Sequence, residues 1–157
     1  SRAVALYTCG GAVLNVVRRR LPELGEPKTP GLRDCPTAGT MLGKIGDIAP
    51  GGVVVVTEGV ADTITAALAW AGAAVLGAHG ACNMLSLTRA AAIRAAAIGA
   101  RMLLVPHDDQ TGRDAAREAG AAAVSAGLSV RGGSLQIVRH GAKDLNDAWR
   151  AGWRPNA

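Results

Sequence analysis

Residues 53–70, VVVVTEGVADTITAALAW, limit the possible fold more than any other stretch of the chain. Four consecutive valines favour a strand, because β-branched side chains suit the pleated sheet. The run has no polar face, so the strand must be covered on both sides. Strands of that kind belong to parallel sheets with helices above and below. The run ends at Glu58-Gly59, and a helical pattern starts at once with Asp62 in its opening turn. A carboxylate at the end of the most apolar strand needs a reason, since burial penalises its charge.

The same alternation continues. Residues 60–71 read as a helix with Ile64, Ala67, Leu68 and Ala71 on one face. Strands follow at 73–77, 101–106 and 134–138, separated by helical patterns at 85–97 (one helix or two short ones), 111–126 and 144–153. This predicts an α/β fold with a parallel four-stranded sheet flanked by helices. In such sheets ligands bind beyond the carboxyl ends of the strands. Ahead of this unit, residues 3–20 place two Val/Leu-rich runs about Gly10-Gly11, a β-hairpin signal. Pro22, Pro27, Pro30, Pro36 and Pro50 then mark a connecting segment of little regular structure, with a turn of helix near Leu42. The expected division is 1–50 for hairpin and connection and 51–157 for the α/β domain. The start at Ser1 is that expected of a piece cut from a longer protein.

Charge narrows the partners. Lys and Arg total 17 against 12 acids, a formal net charge of +5. Only Lys28, Lys44 and Lys143 are lysines; the other cations are arginines, whose planar fork matches phosphate. This hints at nucleic acid or nucleotide, set against a solvated basic surface. Cys9, Cys35 and Cys82 are odd in number and widely spaced, which argues against a disulfide framework or a zinc ribbon. A reducing, cytoplasmic setting is expected, and Cys82 reads as a small buried residue. The alanine-rich 90–100 stretch is broken by Arg94 and Gly99, so no membrane span or membrane partner is expected.

The acids fall at strand ends. Glu58 follows one strand, His107, Asp108 and Asp109 follow another, and Asp144 and Asp147 follow the last. In a parallel sheet these groups meet at one rim. Converging carboxylates repel unless a cation joins them, and oxygen donors suit Mg²⁺ or Mn²⁺ beside phosphate. Each acid also has a plain structural role open to it. Asp62 suits a helix N-terminus, and Asp109 and Asp144 suit helix caps.

Those residues carry a family likeness. Residues 52–149 resemble a Toprim domain, the module shared by bacterial-type primases, type IA and II topoisomerases and some nucleases. Glu58-Gly59 with Asp62 resembles the family's first motif. GAAVLGAHGA resembles the following strand and small-residue turn. HDDQTG resembles the Asp-x-Asp motif at Asp109 and Gly112, and KDLND resembles the acidic cluster of primases and phage primase-helicases at Asp144 and Asp147. GGAVLNVVRRRLPELGEPKTPGL is similar to the small subdomain ahead of Toprim in primases. The resemblance implies a Toprim-like Rossmannoid fold preceded by a small β-hairpin subdomain. It implies metal-dependent nucleotidyl transfer, the synthesis of short RNA primers on a single-stranded DNA template from NTPs, with a helicase fused or separate. Implied catalytic residues are Glu58 and Asp109. Implied metal ligands are Glu58, Asp109, Asp144 and Asp147, with Asp62, His107 and Asp108 as further candidates. Arg18, Arg19, Arg20 and Lys28 would contact nucleotide or template, joined by Lys143.

One position departs from the pattern. His107 stands where the family has the first Asp of Asp-x-Asp, and His is a poor Mg²⁺ ligand but an acceptable one for Mn²⁺ or Zn²⁺. A Toprim nuclease is the rival enzyme. A nucleic-acid or partner-binding module with an impaired metal site is the rival outside enzymes. A topoisomerase needs a catalytic Tyr, and Tyr7 sits in the expected hairpin. A phosphoribosyltransferase-like site lacks its loop glycine in EGVADTITA. Trp70, Trp149 and Trp153 are expected to pack helices.

Overall fold

The computed structural model describes residues 2–7, 13–19, 40–128, 133–135 and 141–155. Its strands are β1 (Arg2–Tyr7), β2 (Val13–Arg19), β3 (Met41–Ile45), β4 (Val53–Glu58), β5 (Ala74–Ala78), β6 (Arg101–Val105) and β7 (Gly133–Leu135). The helices are α1 (Val60–Ala69), α2 (Ala81–Ala97), α3 (Gln110–Ser125) and α4 (Leu145–Arg150). All strands join one sheet in the order β2-β1-β3-β5-β4-β6-β7. The expected parallel block is β5-β4-β6-β7. On its β5 side the sheet continues through antiparallel β3 to the antiparallel β1–β2 hairpin. The hairpin's turn at Gly10-Gly11 lies outside the described residues.

The valine run sits at the centre, and its alternation divides the core. Val54 and Val56 pack with Leu76, Met102 and Leu104 under α2 and α3. Val55 faces the other way, with Val75, Leu103 and Val105 against α1 and α4. The absence of Phe is met by close approach. Ala91, Ala92 and Ala95 of α2 are buried in the same cluster as Ala116, Ala119 and Ala123 of α3.

Three expectations needed revision. The stretch near Leu42 is strand β3, not a helical turn. Its pattern is broken at Gly43, where the register with β5 shifts, and a glycine at a bulge interrupts the alternation that marks a strand. The apolar face expected of α1 points outward: Ile64 and Leu68 are 56% and 63% exposed. The helix buries Asp62, Thr63, Thr65 and Ala66 instead. The cause is the tight fit of α1 on the sheet. A Cβ at Gly77 would lie 2.3 Å from Thr63 Oγ1, so only small side chains fit where Thr63 meets the sheet. Thr63 Oγ1 donates to the Gly59 carbonyl at 2.7 Å and lies 3.0 Å from Thr57 Oγ1. Cys82, expected to be buried, is exposed. Its neighbours Ala81, Asn83 and Met84 take the inner side of that first turn of α2.

Candidate active site at the carboxyl rim

Glu58 is the last residue of β4 and is 8% exposed. Gly59 then adopts φ 100°, a conformation in which L side chains are strained, and its N–H donates to the Ala78 carbonyl at 2.9 Å. That turn starts α1 directly above the strand. Asp62, one turn in and 3% exposed, therefore faces the sheet's rim. Beyond β6 the chain passes Pro106 to His107, which returns to both acids. His107 Nε2 is 3.0 Å from Asp62 Oδ2, and His107 Nδ1 is 3.5 Å from Glu58 Oε1. The His107 backbone N–H donates to Glu58 Oε2 at 3.3 Å. Asp62 Oδ1 accepts from the Asn146 N–H at 2.9 Å, which ties α4 to α1.

The hydrogen bond to Asp62 is the main cause that pushes the His107 pKa up to about 9. Partial burial opposes it, while the charges of Glu58, Asp62 and Asp144 assist. Proton linkage makes stability depend on pH here. Free histidine titrates near 6.5, so the stability this contact supplies is complete below that pH. It declines as pH rises through about 9, where the folded imidazole loses its proton. Urea denaturation at a series of pH values should show this alkaline loss, and His107→Gln should flatten it.

The other acids are held separately. Asp109 is the N-cap of α3, accepting from the Gly112 N–H at 2.8 Å. Asp144 is the N-cap of α4, accepting from the Asp147 N–H at 2.8 Å. Asp108 pairs with Arg113 at 2.9 Å, and its N–H donates to the Lys143 carbonyl at 2.6 Å. That bond brings the loops after β6 and before α4 together. Lys143 and Asp147 are exposed. Arg18 and Arg19 lie in β2, in register with Ala3 and Arg2 of β1, on the sheet's outer strand. Arg20, Lys28 and His140 lie outside the described residues. His79 follows β5; burial lowers its pKa, and its carbonyl accepts from Asn83 Nδ2. Trp70 and Trp153 pack at 6.0 Å on the α1/α4 side, and Arg154 lies over the Trp149 ring.

A divalent ion held here would need several carboxylate oxygens turned to one point. Both oxygens of Asp62, and both of Glu58, are directed at His107 or Asn146. Among the described residues no three His, Cys, Asp or Glu side chains form a group able to hold a metal ion. The inner carboxylate pair, as arranged, does not fit one. Asn146 was not legible as a site residue. It is the unmarked position of KDLND; it meets Asp62 through a backbone N–H that any residue but proline would supply, and its Oδ1 accepts from Thr65 Oγ1 at 3.4 Å.

The fold, with hairpin, antiparallel link and Toprim-type block in that order, is that of the catalytic domains of bacterial and phage primases. The primase fragment of the bacteriophage T7 primase-helicase superposes with a TM-score of 0.60 at 20% identity, covering 96% of this chain and 58% of that one. A DNA primase domain from Pseudomonas aeruginosa gives 0.58 at 18% identity, covering 94% and 46%. The DnaG primase catalytic domain bound to single-stranded DNA gives 0.59 at 18%, covering 96% and 48%. The chain thus spans about half the length of these solved chains. No protein-family model and no curated protein matches the sequence. Among the described residues no helix is long and apolar enough to cross a membrane.

Proposed function

We propose that this chain is the core of a DNA primase-type nucleotidyltransferase, working on a single-stranded DNA template with NTPs. The observation that supports this best is the continuity of one sheet from the hairpin to β7, matched over nearly the whole chain by primase catalytic domains. A nuclease built on the same module would not need the hairpin ahead of it. In the reaction, a 3′-hydroxyl attacks the α-phosphate of an NTP and pyrophosphate leaves. Catalysis of this kind is mainly positioning and charge stabilisation.

Glu58 and Asp109 are the proposed catalytic residues, with Glu58 as the acid/base group beside the nucleophile. Arg18, Arg19, Arg20 and Lys28 take phosphate of nucleotide or template, joined by Lys143 at the rim. Asp109, Asp144 and Asp147 form the outer acids. A Mg²⁺ or Mn²⁺ ion shared with nucleotide phosphates needs only one or two carboxylates, and these are the ones left for it. A helicase, fused or separate, is the proposed partner, since one neighbour is part of a primase-helicase.

A second reading is favoured by His107. With Glu58 and Asp62 both engaged by that side chain, the chain could serve as a nucleic-acid-binding module without polymerisation. Incubation with single-stranded DNA and labelled NTPs in Mg²⁺ or Mn²⁺ separates the possibilities. Short template-dependent oligonucleotides are the expected product. DNA cleavage alone would point to a nuclease, and DNA binding with neither product to the module.

A further inference from the structure

The position of His107 bears on metal binding whether or not the chain makes primers. An all-carboxylate site on this rim would face Glu58 and Asp62 toward an Asp at position 107, with a divalent ion relieving the repulsion between them. Here the ring itself stands in that space. Its two nitrogens, on either side of Cε1, reach one carboxylate each, at 3.0 Å and 3.5 Å. We infer that the His107 side chain takes the place of the inner cation, so that the Glu58–Asp62 pair of this chain is closed to metal, and that Asp at position 107 would open it.

The surroundings hold the ring in place. The His107 N–H is bound to Glu58 Oε2, so backbone and ring engage the same carboxylate. The next residue's N–H is bound to the Lys143 carbonyl. Behind the turn, Gly112 leaves no room for its own Cβ, which would lie 2.4 Å from the His107 carbonyl oxygen. The turn is therefore packed from behind as well as hydrogen-bonded in front. Asp62 cannot swing away to free an oxygen without releasing the Asn146 N–H at the start of α4. To act as a ligand, the ring would have to turn a nitrogen lone pair to a metal and leave a buried carboxylate without its partner.

The test measures metal binding and not polymerisation, so it is independent of whether the chain makes primers. Mn²⁺ is titrated into the whole chain and free ion is followed by electron paramagnetic resonance. Wild type and Glu58→Gln are expected to give the same curve, any binding at the outer acids being common to both. His107→Asp is expected to gain a site that Glu58→Gln removes again, with affinity at least about tenfold above wild type, the scale on which a site's partners tune metal binding. Wild-type binding that falls on Glu58→Gln would make Glu58 a ligand, and binding that falls on His107→Ala would make His107 one; either would overturn the inference. A folded His107→Asp variant with no gain would overturn it too. Should that variant fail to fold, the comparison of wild type with Glu58→Gln and His107→Ala decides alone.

Discussion

Gly112→Ala is expected to destabilise the fold at or above the upper end of the about 1–3 kcal/mol usual for overpacking. The added Cβ would lie 2.4 Å from the His107 carbonyl oxygen and 3.1 Å from its carbonyl carbon and backbone nitrogen. These are main-chain atoms of a turn whose next N–H is bound to Lys143, so they cannot retreat as a flexible side chain could. For a chain of this size the loss corresponds to a fall in Tm of about 6 °C or more, read by circular dichroism. Gly112 is not needed for its backbone angle, unlike Gly59 at φ 100°; it is needed for space. Because the displaced atoms belong to His107, the variant should also weaken the ring's contact with Asp62. The His107 ring should then titrate closer to its ordinary range by NMR. A variant as stable as wild type, with an unchanged ring titration, would remove Gly112 from its role as the backing of the site.

Much of this arrangement could be read from the chain, and the parts that could not share a cause. The valine run placed a doubly covered parallel strand, and the acids after successive strands placed the rim. Asp109 and Asp144 had two roles open to them, and each does form a helix cap. What a linear pattern does not carry is how closely two elements approach. Apolar spacing on α1 pointed to Ile64 and Leu68 as the inner face, yet the missing side chain at Gly77 lets the helix approach so near that Thr63 takes that place. Strand β3 escaped notice because Gly43 interrupts its alternation. His107 was visible as a departure from the acidic pattern. That it turns back between Glu58 and Asp62 depends on a backbone turn fixed by Gly112 and Lys143, residues that say nothing of it singly.

Asp62→Ala should be the most damaging single side-chain deletion at the rim, because one carboxylate joins three segments. Its Oδ2 meets His107 after β6, its Oδ1 meets the Asn146 N–H in α4, and its own backbone belongs to α1. Removing one partner of a buried pair costs about 3–5 kcal/mol when the other charge stays buried and alone. The His107 side chain is 25% exposed and can release its proton, so the loss is expected near about 3 kcal/mol, the lower end of that range. Asp62→Asn separates the contributions. Its amide oxygen can still accept from Asn146, while its NH2 replaces the acceptor that faced His107, so it should lose less than Asp62→Ala only by the Asn146 bond it keeps. The pH dependence distinguishes this account from simple loss of packing. Wild-type stability falls as pH rises through about 9, where His107 loses the proton shared with Asp62. In Asp62→Ala that fall should largely disappear, since the hydrogen bond that chiefly raises the pKa is gone. An Asp62→Ala variant that keeps the full alkaline loss would place the proton's stabilisation elsewhere than in the Asp62 contact.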